Sequence, residues 1–341
     1  MHISVLIPTF RRPAKLAACV RALAQQQTHV EFEVLVGLDG PCDESRHAAR
    51  SAWDEASLDF GGRELRIIEC DRAGYTLVRN RLVHEARGRI ALNLNDDVIP
   101  EPALINAHRQ EHTRRTRENL GPAIVVGDAP YLRRPAGELD SLLDRLVRET
   151  PMVFFYDAMN TPEALAQPDK DWGFRHCFGL NFSADLALIR EVGAFLARPH
   201  VYGYDDIELA FKLARRFDTP VLYRPQARVW HDHFYTVAAL MERERLLGRA
   251  AWTFAGENPG FGLAVFGRDI RSTEELAYSR DFVHRERTTA DRIRDTIASL
   301  ERVPSTAVPE SAHEIIRALS QQHLLLKRWE WRTGLLEAAA A

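Results

Sequence analysis

Short apolar runs alternate with amphipathic stretches through the first 120 residues. Residues 3–7 form a β-branched run stopped by Pro8, the mark of a buried strand. Pro13 stands where a first helical turn begins, and Leu16, Val20 and Leu23 follow at helical spacing. A second strand spans 32–38 and ends at Asp39-Gly40; a polar helix follows over 43–56. Residues 65–68 predict a third strand, and 77–86 a helix closed by Gly88. A fourth strand, 90–94, runs straight into Asn95-Asp96-Asp97, and a helix over 103–112 follows Pro100. Strands alternating with helices predict an α/β fold, a mostly parallel central sheet flanked by helices.

The pattern changes near residue 120. A strand at 123–126 is followed by an amphipathic helix at 137–148 and by extended stretches at 152–156 and 176–182. Asp185 is placed to cap a short helix that ends before Gly193. A strong helix covers 207–217, and short strands follow at 221–223 and 228–230, the second leading into His231-Asp232-His233. Beyond Tyr235 the chain reads as helical, broken at Pro259-Gly260 and again over 304–309, with a frayed alanine run at the end. There is no internal repeat.

Composition narrows the function classes. A net charge of -3 gives no electrostatic case for nucleic acid. Four scattered cysteines (Cys19, Cys42, Cys70, Cys177) read as free thiols in a reducing cytoplasm. The apolar run at the amino terminus is short and meets Arg11 and Arg12 at once, unlike a signal or an anchor. No charge-free apolar run is long enough to predict a membrane-spanning helix.

Candidate chemistry gathers just after strands, at Thr9, Asp39 and Asn95 to Asp97. In an open parallel sheet these positions share one cleft at the carboxyl ends of the strands. Asn95-Asp96-Asp97 could hold a hard divalent cation through oxygen ligands, or could simply form a turn. His231 follows another short strand and suits Mn²⁺-type ions among carboxylates. Asp205-Asp206 opens a helix, where carboxylates serve as caps and where an oriented one can act as a general base. Arg79 could grip phosphate, and Asp39 could accept from a base or a ribose hydroxyl. Trp172, Phe174 and His176, with Asn181 beyond them, are candidates for an acceptor site.

The order of these segments resembles glycosyltransferase family 2, the large GT-A family. Residues 4–12, Ser-Val-Leu-Ile-Pro-Thr-Phe-Arg-Arg, resemble its opening strand and nucleotide-contacting turn, with Pro8, Thr9, Phe10 and Arg11 at the nucleoside. Asp39 matches the acid that contacts the base. Gly74 to Asn80 resembles the segment beside the donor diphosphate, and Asn95-Asp96-Asp97 the DxD motif. Its first position here is Asn95, so coordination is expected to rest on Asp97, with Asp96 helping and His231 completing the site. Asp205-Asp206 stands where the family has Glu-Asp, which makes Asp206 the expected base, with Asp205 beside it.

The resemblance covers residues 3–235. It implies a GT-A domain over 1–235, with a nucleotide-binding half (1–120) and an acceptor half (121–235), and a helical extension over 236–341. It implies Mn²⁺ or Mg²⁺ as cofactor and a UDP-, dTDP- or GDP-linked sugar as donor. The expected reaction is inverting transfer to the hydroxyl of a glycan, lipid-linked or small-molecule acceptor. Cytoplasmic residence, peripheral contact with the inner face of a membrane and a homodimer through the C-terminal helices fit the same reading. Two other readings stay open. One is a nucleotide-sugar-binding protein with impaired catalysis, suggested by Asn95. The other is a sugar nucleotidyltransferase, which the lack of a Gly-rich loop after the first strand disfavours.

Overall fold

The computed structural model describes residues 2–57, 62–196, 198–199 and 201–341. They fall into two compact units: Met1–Pro130 with Ala158–His200 and Asp205–Asp232, and Tyr131–Asp157 with Val201–Tyr204 and His233–Ala341.

Among the described residues, the first unit has nine strands. They are β1 (Ile3–Thr9), β2 (Phe32–Asp39), β3 (Arg63–Cys70), β4 (Ile90–Leu94), β5 (Val98–Pro100), β6 (Ile124–Gly127), β7 (Asn181–Asp185), β8 (Val221–Arg224) and β9 (Val229–His231). Seven of them form one sheet in the order β3-β2-β1-β4-β7-β6-β8. Only β7 opposes its neighbours; the other pairings are parallel. Every residue of β1 is buried, as its mostly apolar run requires in a sheet covered on both faces. The chain builds outward through β2 and β3, then returns to place β4 on the other side of β1. The crevice at the carboxyl ends of β1 and β4 is therefore a topological switch point. The predicted helices over 13–23 and 43–56 are present as Pro13–Ala24 and Asp43–Ala56.

Small strands β5 and β9 pair antiparallel, with Val98 opposite His231. This ribbon follows directly from the end of β4. It brings a late segment of the chain onto the loop after β4.

The centre of the sheet holds a polar layer that no apolar pattern announces. His108 and His112 from the helix Leu104–Arg117 both reach Ser183 Oγ on β7, at 2.8 Å each. The second ring nitrogen of His108 meets Asn181 Oδ1 at 3.0 Å. Asn181 Nδ2 donates to the carbonyls of Asp128 and Ala227. These bonds draw Asn181 and Ser183 inward. Over 176–182 the chain differs from expectation: a 3₁₀ turn, Phe174–His176, precedes the strand, which starts only at Asn181. Gly127 makes room for this layer. A Cβ there would lie 1.9 Å from the Ala227 carbonyl oxygen and 2.3 Å from Asn181 Nδ2.

The second unit is mainly helical and draws in residues 131–157 as well as the chain after 233. The helix expected from 137 starts instead at Leu142, because Ser141 and Asp144 exchange side-chain and backbone bonds in a capping box. Residues 152–156 do not form a strand; a short helix, Tyr156–Met159, follows Phe155. Leu142, Leu146 and Val147 pack with Leu240, Phe282, Ile297 and Trp329 in one core. The long helices Val237–Glu257 and His313–Ala340 cross with their backbones almost touching. A Cβ on Gly248 would lie 1.9 Å from the Trp331 carbonyl, and one on Gly334 the same distance from the Arg245 carbonyl. The terminal alanines, expected to fray, continue the last helix to Ala340. No helix among the described residues is long and apolar enough to cross a membrane.

Candidate functional site

The switch point brings Thr9 and the loop after β4 into contact. Thr9 Oγ1 donates to Asp96 Oδ2 at 2.7 Å, 87 residues away in sequence. Arg12 comes from the turn after β1, and its Nη1 lies 3.2 Å from Asp96 Oδ1 and 3.0 Å from Asp97 Oδ2. Asp96 and Asp97 are each 5% exposed as whole residues, so their charges are held where water screens little. Burial and the charge of Asp97 push the Asp96 carboxyl up from its usual range, against the pull of Arg12 and Thr9.

The β5–β9 ribbon supplies the imidazole. Asp97 immediately precedes β5, and the Asp232 amide donates to the Asp97 carbonyl at 2.8 Å. This places His231 Nε2 3.6 Å from Asp97 Oδ1. Ligands bound to one small divalent ion at about 2.1 Å each can stand that far apart. A carboxylate with an imidazole is also the donor set that Mn²⁺-type ions accept. The two residues thus fit such an ion. Asp232 itself is held by Lys15, with Nζ 2.6 Å from Oδ1.

A second acidic pair opens the helix Asp205–Phe217. Its two members have different surroundings. Asp205 is 2% exposed, pairs with Arg79 at 2.9 Å and accepts from the Tyr75 hydroxyl. Asp206 is half-buried and, among the described residues, accepts from two backbone donors: Gly179 N–H at 2.6 Å and Ile207 N–H at 2.8 Å. Burial, and then the neighbouring Asp205 charge, raise the Asp206 carboxyl to about 6.

Arg79 joins the two acidic regions. Beyond Asp205, it donates to Asn95 Oδ1 and to the Gly179 carbonyl, each at 2.9 Å. At 3% exposure, its guanidinium is spent on these interior partners. Asn95 therefore faces the Arg79 cluster, while Asp96 and Asp97 face Arg12.

The remaining expected residues lie as follows. Asp39 ends β2, and its Oδ1 accepts from the Ala73 and Gly74 amides at 2.8 and 3.1 Å, fixing the entry to the helix Tyr75–Glu85. Phe10 is 39% exposed, with the Arg72 guanidinium 4.7 Å from its ring centre and that of Arg11 at 5.5 Å. Pro8 lies buried in β1, and Arg11 holds a left-handed turn at φ +50°. The Trp172 and His176 rings lie 5.5 Å apart, their planes inclined at 60°, and His176 Nδ1 bonds the Trp172 carbonyl. Asn181 is different: at 0% exposure, with its amide bonded throughout to interior groups, it is a tie within the sheet and cannot face an acceptor.

Arg12, Lys15, Tyr75 and Gly179 were not singled out from the sequence. Arg12 carried a signal, since it immediately precedes the Pro13 that starts a helix under the sheet's carboxyl edge. Gly179 carried none; its role comes from a backbone amide. A cavity of about 610 Å³ lined by His2, residues 27–31, Asn106 and Arg109 lies at the amino-terminal ends of β1 and β2, the opposite edge from these groups.

Residues 4–168 match the model of glycosyl transferase family 2. The chain is 29% identical over 224 residues to validoxylamine A glucosyltransferase of Streptomyces hygroscopicus subsp. jinggangensis (strain 5008), covering 62% of this chain and 51% of that protein. It is 30% identical over 120 residues to the uncharacterized glycosyltransferase YfnE of Bacillus subtilis (strain 168), covering 35% of this chain and 29% of that one. The chain thus spans about half the length of the first of these curated relatives. Among solved structures, the mannosyltransferase PcManGT from Pyrobaculum calidifontis, in complex with GDP-Man and Mn²⁺, is similar in fold. It has a TM-score of 0.56 and 18% identity, over 99% of this chain and 85% of that one. The segment matched and the fold agree: the chain belongs to glycosyl transferase family 2, on a GT-A fold.

Proposed function

We propose that the protein transfers a sugar from a nucleoside diphosphate sugar to an acceptor hydroxyl, with inversion at the anomeric carbon, in the assembly of a glycan or glycoconjugate. The observation that carries this reading is the contrast between the two acids opening the helix Asp205–Phe217. Asp205 is ion-paired with Arg79 and accepts from Tyr75, whereas Asp206 keeps a half-buried carboxyl, oriented by two amides and raised to about 6. A base with that affinity is ionised at neutral pH and still accepts a proton readily.

In the reaction, the acceptor oxygen forms a bond to the anomeric carbon as its proton passes to Asp206. The bond from that carbon to the diphosphate oxygen breaks, and its electron pair leaves with the diphosphate. Phe10, Arg11 and Pro8 form the nucleoside side of the cleft with Asp39, whose second oxygen can meet the base or ribose. Thr9 orients Asp96, and Asn95 links this loop to the Arg79 cluster. Asp97 and His231 would hold Mn²⁺ or Mg²⁺, which when bound offsets the charge of the leaving diphosphate. Trp172 and His176 are the acceptor-side candidates.

The test has two parts. A thermal-shift screen of UDP-, GDP- and dTDP-sugars with Mn²⁺ or Mg²⁺ should raise the unfolding temperature for one donor class, as a ligand of the native state must. Glucosyl donors come first, given the name of the Streptomyces relative. With the donor identified, Asp206→Asn should lower turnover by about 10²–10⁴ while nucleotide affinity is retained. Undiminished turnover in that variant would remove Asp206 from the chemistry.

A further inference from the structure

Arg12 stands where a cation is needed before any ion arrives. Two adjacent carboxylates, each nearly sealed from water, repel one another and require a positive neighbour. Arg12 supplies it with a single nitrogen in the notch between them, 3.2 Å from Asp96 Oδ1 and 3.0 Å from Asp97 Oδ2. Its own side chain is 48% exposed, against 7% and 6% for the two carboxylates, so it covers them from the solvent side. One face of the Asp97 carboxylate is thereby taken by a guanidinium, while the other faces His231.

A divalent ion entering beside Asp97 would meet a fixed positive charge within a few ångströms. Either the ion binds weakly, or Arg12 gives way. An alternative partner for Arg12 lies close at hand. The helix Pro13–Ala24 starts at the next residue with no side-chain cap and no acid in its first turn, so its free amides and dipole favour an anion there. A guanidinium has five N–H donors and can grip a diphosphate in pairs. Pro13 restricts the backbone of Arg12, which keeps the side chain at this edge in either position.

We propose that Arg12 is an exchangeable internal counter-ion, holding Asp96 and Asp97 until donor and metal arrive and then turning to the donor diphosphate. This rests on the glycosyltransferase reading above. Its consequence is thermodynamic: part of the coupling between metal and nucleotide binding runs through one side chain. Metal alone binds poorly because Arg12 opposes it, and nucleoside diphosphate relieves the opposition by engaging Arg12.

The experiment titrates Mn²⁺ into wild-type, Arg12→Gln and Arg12→Lys proteins without nucleotide, reading free Mn²⁺ by electron paramagnetic resonance. It then repeats the titration with UDP, with GDP and with dTDP. Arg12→Gln should bind Mn²⁺ alone about tenfold more tightly than wild type. It should also bind nucleoside diphosphate more weakly at saturating Mn²⁺. Arg12→Lys, which keeps the charge, should follow wild type in the metal-only titration. Thermal unfolding of each variant confirms that folded protein is being compared, and the lysine variant carries the test if the glutamine variant is unstable: Mn²⁺ alone tightening as much in Arg12→Lys as a neutral side chain should allow would overturn the charge argument. Equal or weaker metal-only affinity in Arg12→Gln overturns the counter-ion role while leaving the glycosyltransferase reading intact. A wild-type protein that binds neither Mn²⁺ nor any of UDP, GDP and dTDP overturns both.

Discussion

Lowering the pH should destabilise the sheet unit through two buried histidines. The hydrogen-bond chain of His108, His112, Ser183 and Asn181 has one consistent direction. Asn181 gives both amide hydrogens to carbonyls, so its Oδ1 must accept, and His108 Nε2 must carry the proton. His108 Nδ1 is then bare and accepts from the Ser183 hydroxyl, whose oxygen in turn accepts from His112 Nε2–H. These tautomers are assigned from the network. Both rings are neutral in this arrangement, and burial pushes His108 down to about 4 and His112 down to about 3, from an ordinary 6.5. Proton counting sets the sign. Between pH 6.5 and 4 the unfolded chain holds protons on both imidazoles that the folded chain lacks, so stability falls as pH falls through that window.

From pH 7.5 to pH 5 each imidazole contributes a loss of about 2 kcal/mol, or about 4 kcal/mol for the pair. Asp206 works in the opposite sense. Its folded carboxyl is raised, so it adds stability as pH falls through about 6. The comparison that isolates the histidines is therefore wild type against His108→Gln/His112→Gln in urea unfolding at pH 7.5, 6 and 5. What is read is the pH dependence of stability and not its absolute value. The double variant should lose about 4 kcal/mol less than wild type across this range. Equal losses in the two proteins, or imidazole resonances of His108 that titrate near pH 6.5, would refute the reasoning.

Two further substitutions test how the site is held. Gly127→Ala should lower stability by about 3 kcal/mol, because the new methyl group meets a backbone carbonyl and displaces Asn181; an unchanged melting temperature would contradict that close approach. Arg79→Met should cost about 3–5 kcal/mol by stranding Asp205 in the interior, with Arg79→Met/Asp205→Asn recovering much of the loss. A variant of wild-type stability that had lost only donor affinity would instead assign Arg79 to the diphosphate.

Local chemistry made much of the first unit readable. The apolar runs of β1, β2 and β4, the proline opening the helix Pro13–Ala24 and the cap at Asp185 act over a few residues, so their marks survive in one dimension. Polar residues placed after parallel strands likewise pointed to one edge of the sheet, because strand direction and crossover handedness bring those ends together. Partner choice was not readable in the same way. Nothing local separates Asn181, sealed in the interior, from Trp172 and His176, which keep some exposure. Arg79 reads as a helix-face cation until the fold delivers Asp205 from 126 residues away. Arg12 and Arg11 are neighbours in sequence, yet only Arg12 reaches the carboxylates. A charged side chain takes its role from what else is desolvated within a few ångströms, and that is settled when strands, ribbon and helix ends are packed together.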